Sequence, residues 1–214
     1  MNEFMLPNYS KKKKAIVVTD LDGTLIECNT FPHWIIYCIY KSIHEKKYSI
    51  LFRVSILLIR RKILREISHR DFKISINKIN YPINWGTDFI KTLPLSDRVI
   101  RKITEHAPAY VIISTAAPEC YAKHLSDIPD LKVDKVICSS NTPEGFVDNF
   151  KIHKKIQTIN YIATLKEDYN LIFFTDHHDD IPLSAVADIN YLCLPSKKTK
   201  AIFKESGIKF FSIG

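Results

Sequence analysis

Glycine is scarce, with five in 214 residues, so each one present marks a place where the backbone has a special need. Cysteine is sparse and poorly arranged for cross-linking. Cys28, Cys38, Cys120, Cys138 and Cys193 are odd in number and include no CxxC pair, which argues against a disulfide framework and a zinc cluster and favours a reducing compartment. No uncharged run approaches the roughly 20 residues that cross a bilayer, the longest candidate being Phe31–Tyr40. The first residues place their charges after the apolar part and contain no h-region, unlike a secretory signal. Internal repeats and low-complexity linkers are lacking too. These absences predict a soluble cytoplasmic protein.

Positive charge is in excess, at +8. That favours anionic partners such as phosphorylated metabolites, nucleic acid or an acidic membrane surface. The basic residues are dispersed apart from Lys11–Lys14 and the Arg60–Arg65 stretch, as on a solvated face.

Short β-branched runs ending in polar residues recur at 15–20, 109–115, 133–140, 171–176 and 189–195, with a sixth candidate at 208–213. Helical patterns separate them, so the expected fold is α/β, with a parallel sheet covered on both faces. Ligands bind such sheets beyond the carboxyl ends of the strands. One interval breaks the rhythm: Cys28 to about Pro94 reads as helical throughout and is far longer than a crossover requires. The expected organisation is a tail over 1–13, an α/β core over 14–28 and 95–214, and an inserted helical cap over 29–94. Within the cap, Phe52, Ile56, Ile59, Ile63 and Ile67 form one apolar helical stripe, with Leu51, Val54 and Leu58 on the other side. Two uses remain open for this helix: packing within the cap or a dimer, or contact with lipid, with Arg53, Arg60, Arg61, Lys62 and Arg65 meeting phosphates.

The first strand runs into Asp20-Leu21-Asp22-Gly23-Thr24. Two like carboxylates this close repel unless a cation, a shared proton or a chemical task holds them. An aspartate can attack phosphorus, a second can move the leaving group's proton, and Mg²⁺ can relieve the repulsion. The second strand ends in Ser114 and Thr115, whose hydroxyls and amides suit an anion. A lysine from Lys151, Lys154 or Lys155 would help a phosphate approach a carboxylate, and the border position of Lys155 beside Ile156 and Ile159 favours it. The fourth expected strand supplies Asp176 and Asp180, and carboxylates from two strand ends suit an octahedral cation. His177 and His178 suggest zinc, but no third His or Cys lies at ligand spacing.

In order and spacing, "DLDGTLI", the Ser114 strand end, the lysine-bearing helix and "TDHHDDIPL" resemble the four motifs of the haloacid dehalogenase (HAD) superfamily. The cap resembles its C1 type, and "STAAPECYAKHL" and "VDKVICSS" are similar to the phosphoserine-phosphatase-like subgroup. "RRKILREISHRDFK" resembles members acting on phospholipid head groups, such as phosphatidylglycerophosphatase. The resemblance implies a Rossmann-like core and an Mg²⁺-dependent phosphatase. Asp20 would form an aspartyl-phosphate, Asp22 would be acid and base, and Ser114, Thr115 and Lys155 would bind the phosphoryl group. Mg²⁺ would be held by Asp20, the Asp22 backbone carbonyl and Asp176, with Asp180 orienting the metal's water shell or the lysine. The expected substrate is a phosphorylated small molecule or lipid head group. His177 departs from the small residue usual after the first aspartate of the fourth motif. A phosphotransferase or phosphomutase, a dehalogenase, and a basic anion- or membrane-binding module are the rival readings. The acidic focus at the strand ends speaks against nucleic acid.

Overall fold

The structure is a computed structural model that describes residues 13–128 and 131–214. The tail expected over 1–13, all but its last residue, and Lys11 and Lys12 lie outside the described residues. The core is a seven-stranded sheet of β1 (Lys14–Thr19), β2 (Tyr110–Pro118), β3 (Lys135–Thr142), β4 (Gly145–Val147), β5 (Tyr169–Thr175), β6 (Ile189–Cys193) and β7 (Phe211–Ile213). Their spatial order is β4-β3-β2-β1-β5-β6-β7. All neighbours are parallel except β4, which pairs antiparallel with β3.

The strands form because their apolar runs can be buried on both faces. Ile16 and Val18 point into one core with Ile112, Phe173 and Leu183, against which Ile159 and Ile162 of α7 (Ile152–Thr164) and Leu165 just after it pack. Val17 points the other way, into a larger core with Val111, Ile113, Ile172 and Phe174. That second core also receives Val99 and Ile103 of α5 (Asp97–Glu105) and the interior of the inserted helices. Shorter helices α6 (Glu119–Ala122) and α8 (Ile181–Ser184), and α9 (Lys197–Glu205), complete the connections.

The insertion contains α1 (Thr30–His44), α2 (Tyr48–Leu58), α3 (His69–Asn77) and α4 (Ile83–Ile90). It leaves and rejoins the core side by side: Ile26 bridges Leu95 in antiparallel fashion and the Ser96 amide donates to the Leu25 carbonyl at 2.9 Å. The helix expected across 48–67 is interrupted, since α2 passes into a π turn over Ile59–Ile63. Its inward side is Ile50 and Val54, both buried, whereas Phe52, Ile56, Ile59 and Ile63 are exposed, Ile63 at 72%. Both stripes of this helix are apolar, so periodicity cannot choose between them.

Chain order reverses beside β1. The strand runs build outward through β2 and β3, then cross back to β5, β6 and β7. The carboxyl ends of β1 and β5 therefore flank the crevice where such sheets bind ligands.

Candidate active site

Asp20 follows β1 directly, and its amide donates to the Phe174 carbonyl of β5 at 2.9 Å. Its side chain is almost wholly buried. Lys154, on the sheet-facing side of α7, donates from Nζ to Asp20 Oδ1 at 2.8 Å and to Asp180 Oδ2 at 2.9 Å. Asp180 also accepts from the Thr175 hydroxyl at 2.7 Å. The lysine in the site is thus Lys154 and not Lys155, which lies one residue on and about 100° around the helix. Lys151 pairs at 3.3 Å with Asp179 instead.

Burial pushes the Asp20 carboxyl up to about 7, with Lys154 opposing the shift and Asp180 adding to it. Asp176 is raised to about 6, again by burial first, with repulsion from Asp180 contributing. Burial works against the charge of Lys154, but Asp180 and Asp20 more than offset it and hold its pKa above the ordinary value. Two carboxylates, Asp20 and Asp180, thus share one ammonium, and Asp176 adds a third acidic group close by, leaving negative charge in a desolvated place.

Gly23 lets Asp176 approach the first turn. Its φ is +74°, and a Cβ there would sit 2.5 Å from Asp176 Oδ2. The donor set is all oxygen and carries surplus negative charge, which fits a hard divalent cation such as Mg²⁺ and not a soft one. Asp20 and Asp176 have the freer carboxylates for that task, since both oxygens of Asp180 engage Lys154. The rings of His177 and His178 lie 4.0 Å from each other. With Asp179 they form a separate group in which one potential ligand atom of each lies within 4.8 Å of the others.

Asp22 lies nearer the opening. Its Oδ1 accepts from the Thr30 amide at 2.7 Å, so the N-terminus of α1 fixes the carboxylate's direction. Burial raises its pKa, with the hydrogen bonds from Thr30 opposing. It borders a cleft of about 380 Å³ between core and insertion, together with Asn29, Phe31, His69, Lys73 and Ala117.

The end of β2 behaves differently from expectation at Ser114. Strand alternation puts Ser114 on the face of Ile112, towards α7, where its hydroxyl pairs with Thr158 at 2.8 Å and accepts from Asn149 Nδ2 at 3.1 Å. It is wholly buried there. The Thr115 oxygen accepts from the Ala117 amide at 3.0 Å. The register of β2 against β3 then shifts between Ser114 and Pro118, and the displaced residues Ala116, Ala117 and Pro118 line the cleft.

Five residues of this neighbourhood were not singled out by the sequence. Lys73 reaches from α3 across the cleft to Asp148 at 2.8 Å and to the Ala116 carbonyl at 3.1 Å, and Ser139 donates to the same Asp148 oxygen at 2.7 Å. Asn149 bridges Ser114, Thr115 and Ile137. His69 stands at the mouth, its pKa lowered by burial and by Lys73. The one sequence signal for this set is "VDN" closing a short hairpin just before the lysine helix.

A family model for haloacid dehalogenase-like hydrolases matches residues 17–185. No curated protein matches the chain. Among solved structures, a Bordetella pertussis Tohama I protein of unknown function aligns with a TM-score of 0.72 at 14% identity, over 94% of this chain and 99% of its own. A probable phosphoserine phosphatase from Vibrio cholerae aligns at 0.58 and 15% identity, over 89% of this chain and 59% of its own. A phospho-aspartyl intermediate analogue of phosphoserine phosphatase aligns at 0.54 and 13% identity, over 89% and 91%.

Proposed function

The chain belongs to the haloacid dehalogenase-like hydrolases, and from that premise we propose that it is an Mg²⁺-dependent phosphomonoesterase working through an aspartyl-phosphate. The observation that carries the reading is the buried Asp20–Lys154–Asp180 cluster beside an Asp22 that opens on the cleft.

Asp20 Oδ1 is held by Lys154, which leaves Oδ2 to attack phosphorus. The bond from phosphorus to the ester oxygen breaks as the acyl-phosphate bond forms, and Asp22 gives its proton to the departing oxygen. A raised pKa suits Asp22 to carrying that proton. In the second half, Asp22 takes a proton from water, the water oxygen bonds to phosphorus, and the bond to Asp20 breaks to release phosphate. Lys154 neutralises charge on the phosphoryl oxygens, and the Thr115 hydroxyl hydrogen remains available to donate to one of them. Ser114 supports the β2 end from beneath through Thr158 and Asn149. Mg²⁺, held by Asp20, the Asp22 carbonyl and Asp176, would screen the negative charges of nucleophile and phosphate from each other. The insertion, tied down by Lys73, would exclude water from the cleft.

The test is hydrolysis of an aryl phosphate. Turnover is expected with Mg²⁺, lost with EDTA, and lowered at least about a thousandfold in Asp20→Asn, with the circular dichroism of the variant unchanged. Hydrolysis indifferent to both chelation and Asp20→Asn would reject the mechanism.

A further inference from the structure

Beside the catalytic cleft, wholly within the inserted helices, lies a second cavity of about 280 Å³. Ile35, Ile36 and Ile39 of α1, Leu58 at the end of α2 and Phe72 of α3 form its walls. It shares Phe31, Pro32 and His69 with the cleft, so these residues border both spaces. Arg61 and Lys62 of the π turn border it. A departure from α-helical winding here, at the edge of a cavity, is the kind of irregularity that accompanies functional sites.

The chemistry of the two spaces is opposed. The cleft offers Asp22, Lys73, Asp148 and His69, whereas the walls of the second cavity at Ile35, Ile36, Ile39, Leu58 and Phe72 have no side-chain hydrogen-bonding group. A sugar or amino-acid leaving group lying against these five walls would give up water without replacement, at a cost for each buried polar group. A hydrocarbon leaving group would meet favourable surface at these five residues. The groove is open on its outer side, where Ile36 is 66% exposed, so a chain longer than the cavity can pass out. Arg61 and Lys62 border this cavity and not the cleft.

Resting on the phosphomonoesterase reading, we propose that the substrate class is amphiphilic phosphate monoesters with a linear alkyl chain. The phosphoryl end enters the cleft at Asp22 and Asp20, and the chain lies in the groove lined by Ile35, Ile36, Ile39, Leu58 and Phe72.

The test is calorimetric binding of alkylphosphonates, from ethyl to decyl and below their micellar concentrations, to the Mg²⁺-loaded full chain. Affinity is expected to rise by up to about fourfold with each added methylene until the groove is full. Ile36→Gln, a change at an exposed groove wall, should lower decylphosphonate affinity severalfold and leave ethylphosphonate affinity and ethyl phosphate turnover unchanged. A flat series beside intact turnover would overturn the groove assignment and leave the catalytic reading standing. A rising, Ile36-dependent series in a protein that hydrolyses no ester would do the reverse. A rising series indifferent to Ile36→Gln would place the chain elsewhere and overturn the proposal. So would a flat series accompanied by self-association that Ile36→Gln abolishes, which would assign the groove to a second copy of this chain.

Discussion

Lys154 and Lys155 are neighbours in sequence, yet the helix gives them unrelated surroundings. Lys154 is buried between Asp20 and Asp180, so replacing it leaves two buried carboxylates without their counter-charge. Lys154→Ala is expected to cost the metal-free protein about 3–5 kcal/mol and to lower turnover by about 10²–10³. Lys155→Ala should stay within about 0.5 kcal/mol and retain full turnover. Urea denaturation and an aryl phosphate assay on both variants check this, and the opposite ranking would refute the assignment. Asp20 and Asp176 were legible in the sequence because each closes an apolar run that reads as a strand, and Asp22 and Asp180 because they lie two and four residues beyond, on strand ends that face one way in a parallel sheet. The lysine was not, because the inner face of α7 at this point is polar. Lys154 and Thr158, one turn apart, face Asp20 and Ser114, while Ile156 is 46% exposed. Reading the apolar border as the buried one therefore pointed one residue too far. Ser114 and Thr115 were separable only through strand alternation, which sends the serine to the α7 face.

At the level of elements, the apolar strands announced themselves, whereas β4 and the two-faced second helix of the insertion did not. β4 spans three residues, too few for alternation to be read, and it joins β3 through Pro143 and Glu144. Its hairpin nevertheless delivers Asp148 and Asn149 to the site. The second helix of the insertion shows the complementary difficulty. It carries apolar residues on both sides, and the side that packs is Ile50 and Val54. Phe52→Ser, at a residue 67% exposed, is therefore expected to change stability by less than about 0.5 kcal/mol. Val54→Ala, at a wholly buried position, should cost about 1.5–3 kcal/mol from lost burial and the cavity left behind. Equilibrium unfolding of the two variants distinguishes the faces, and a costly Phe52→Ser with a harmless Val54→Ala would mean that this helix packs the other way round.

For the whole molecule, the cluster of carboxylates is expected to couple stability to pH and, on the Mg²⁺ reading, to metal. Asp20 and Asp176 have folded pKa values of about 7 and about 6, both raised from 3.8. A raised carboxyl binds its proton more tightly in the folded state. Its stabilising contribution is therefore complete below about pH 4 and is lost as pH rises through the folded value. Without metal, these two groups should make the protein less stable as pH climbs from about 4 to about 7. A bound divalent cation reverses the sense, because it favours the deprotonated carboxylates, so Mg²⁺ should raise the melting temperature strongly near pH 8 and little near pH 5. Asp176→Asn removes one of the titrating charges. In EDTA near pH 8 it should stabilise the protein by up to about 3 kcal/mol, and it should largely abolish the Mg²⁺-induced shift. Thermal and urea unfolding of both proteins, with Mg²⁺ and with EDTA at the two pH values, checks the coupling without any assay of turnover. An undiminished Mg²⁺ shift in Asp176→Asn would show that the cation is held elsewhere, and the charge surplus at the β1 and β5 ends would then need another compensating partner.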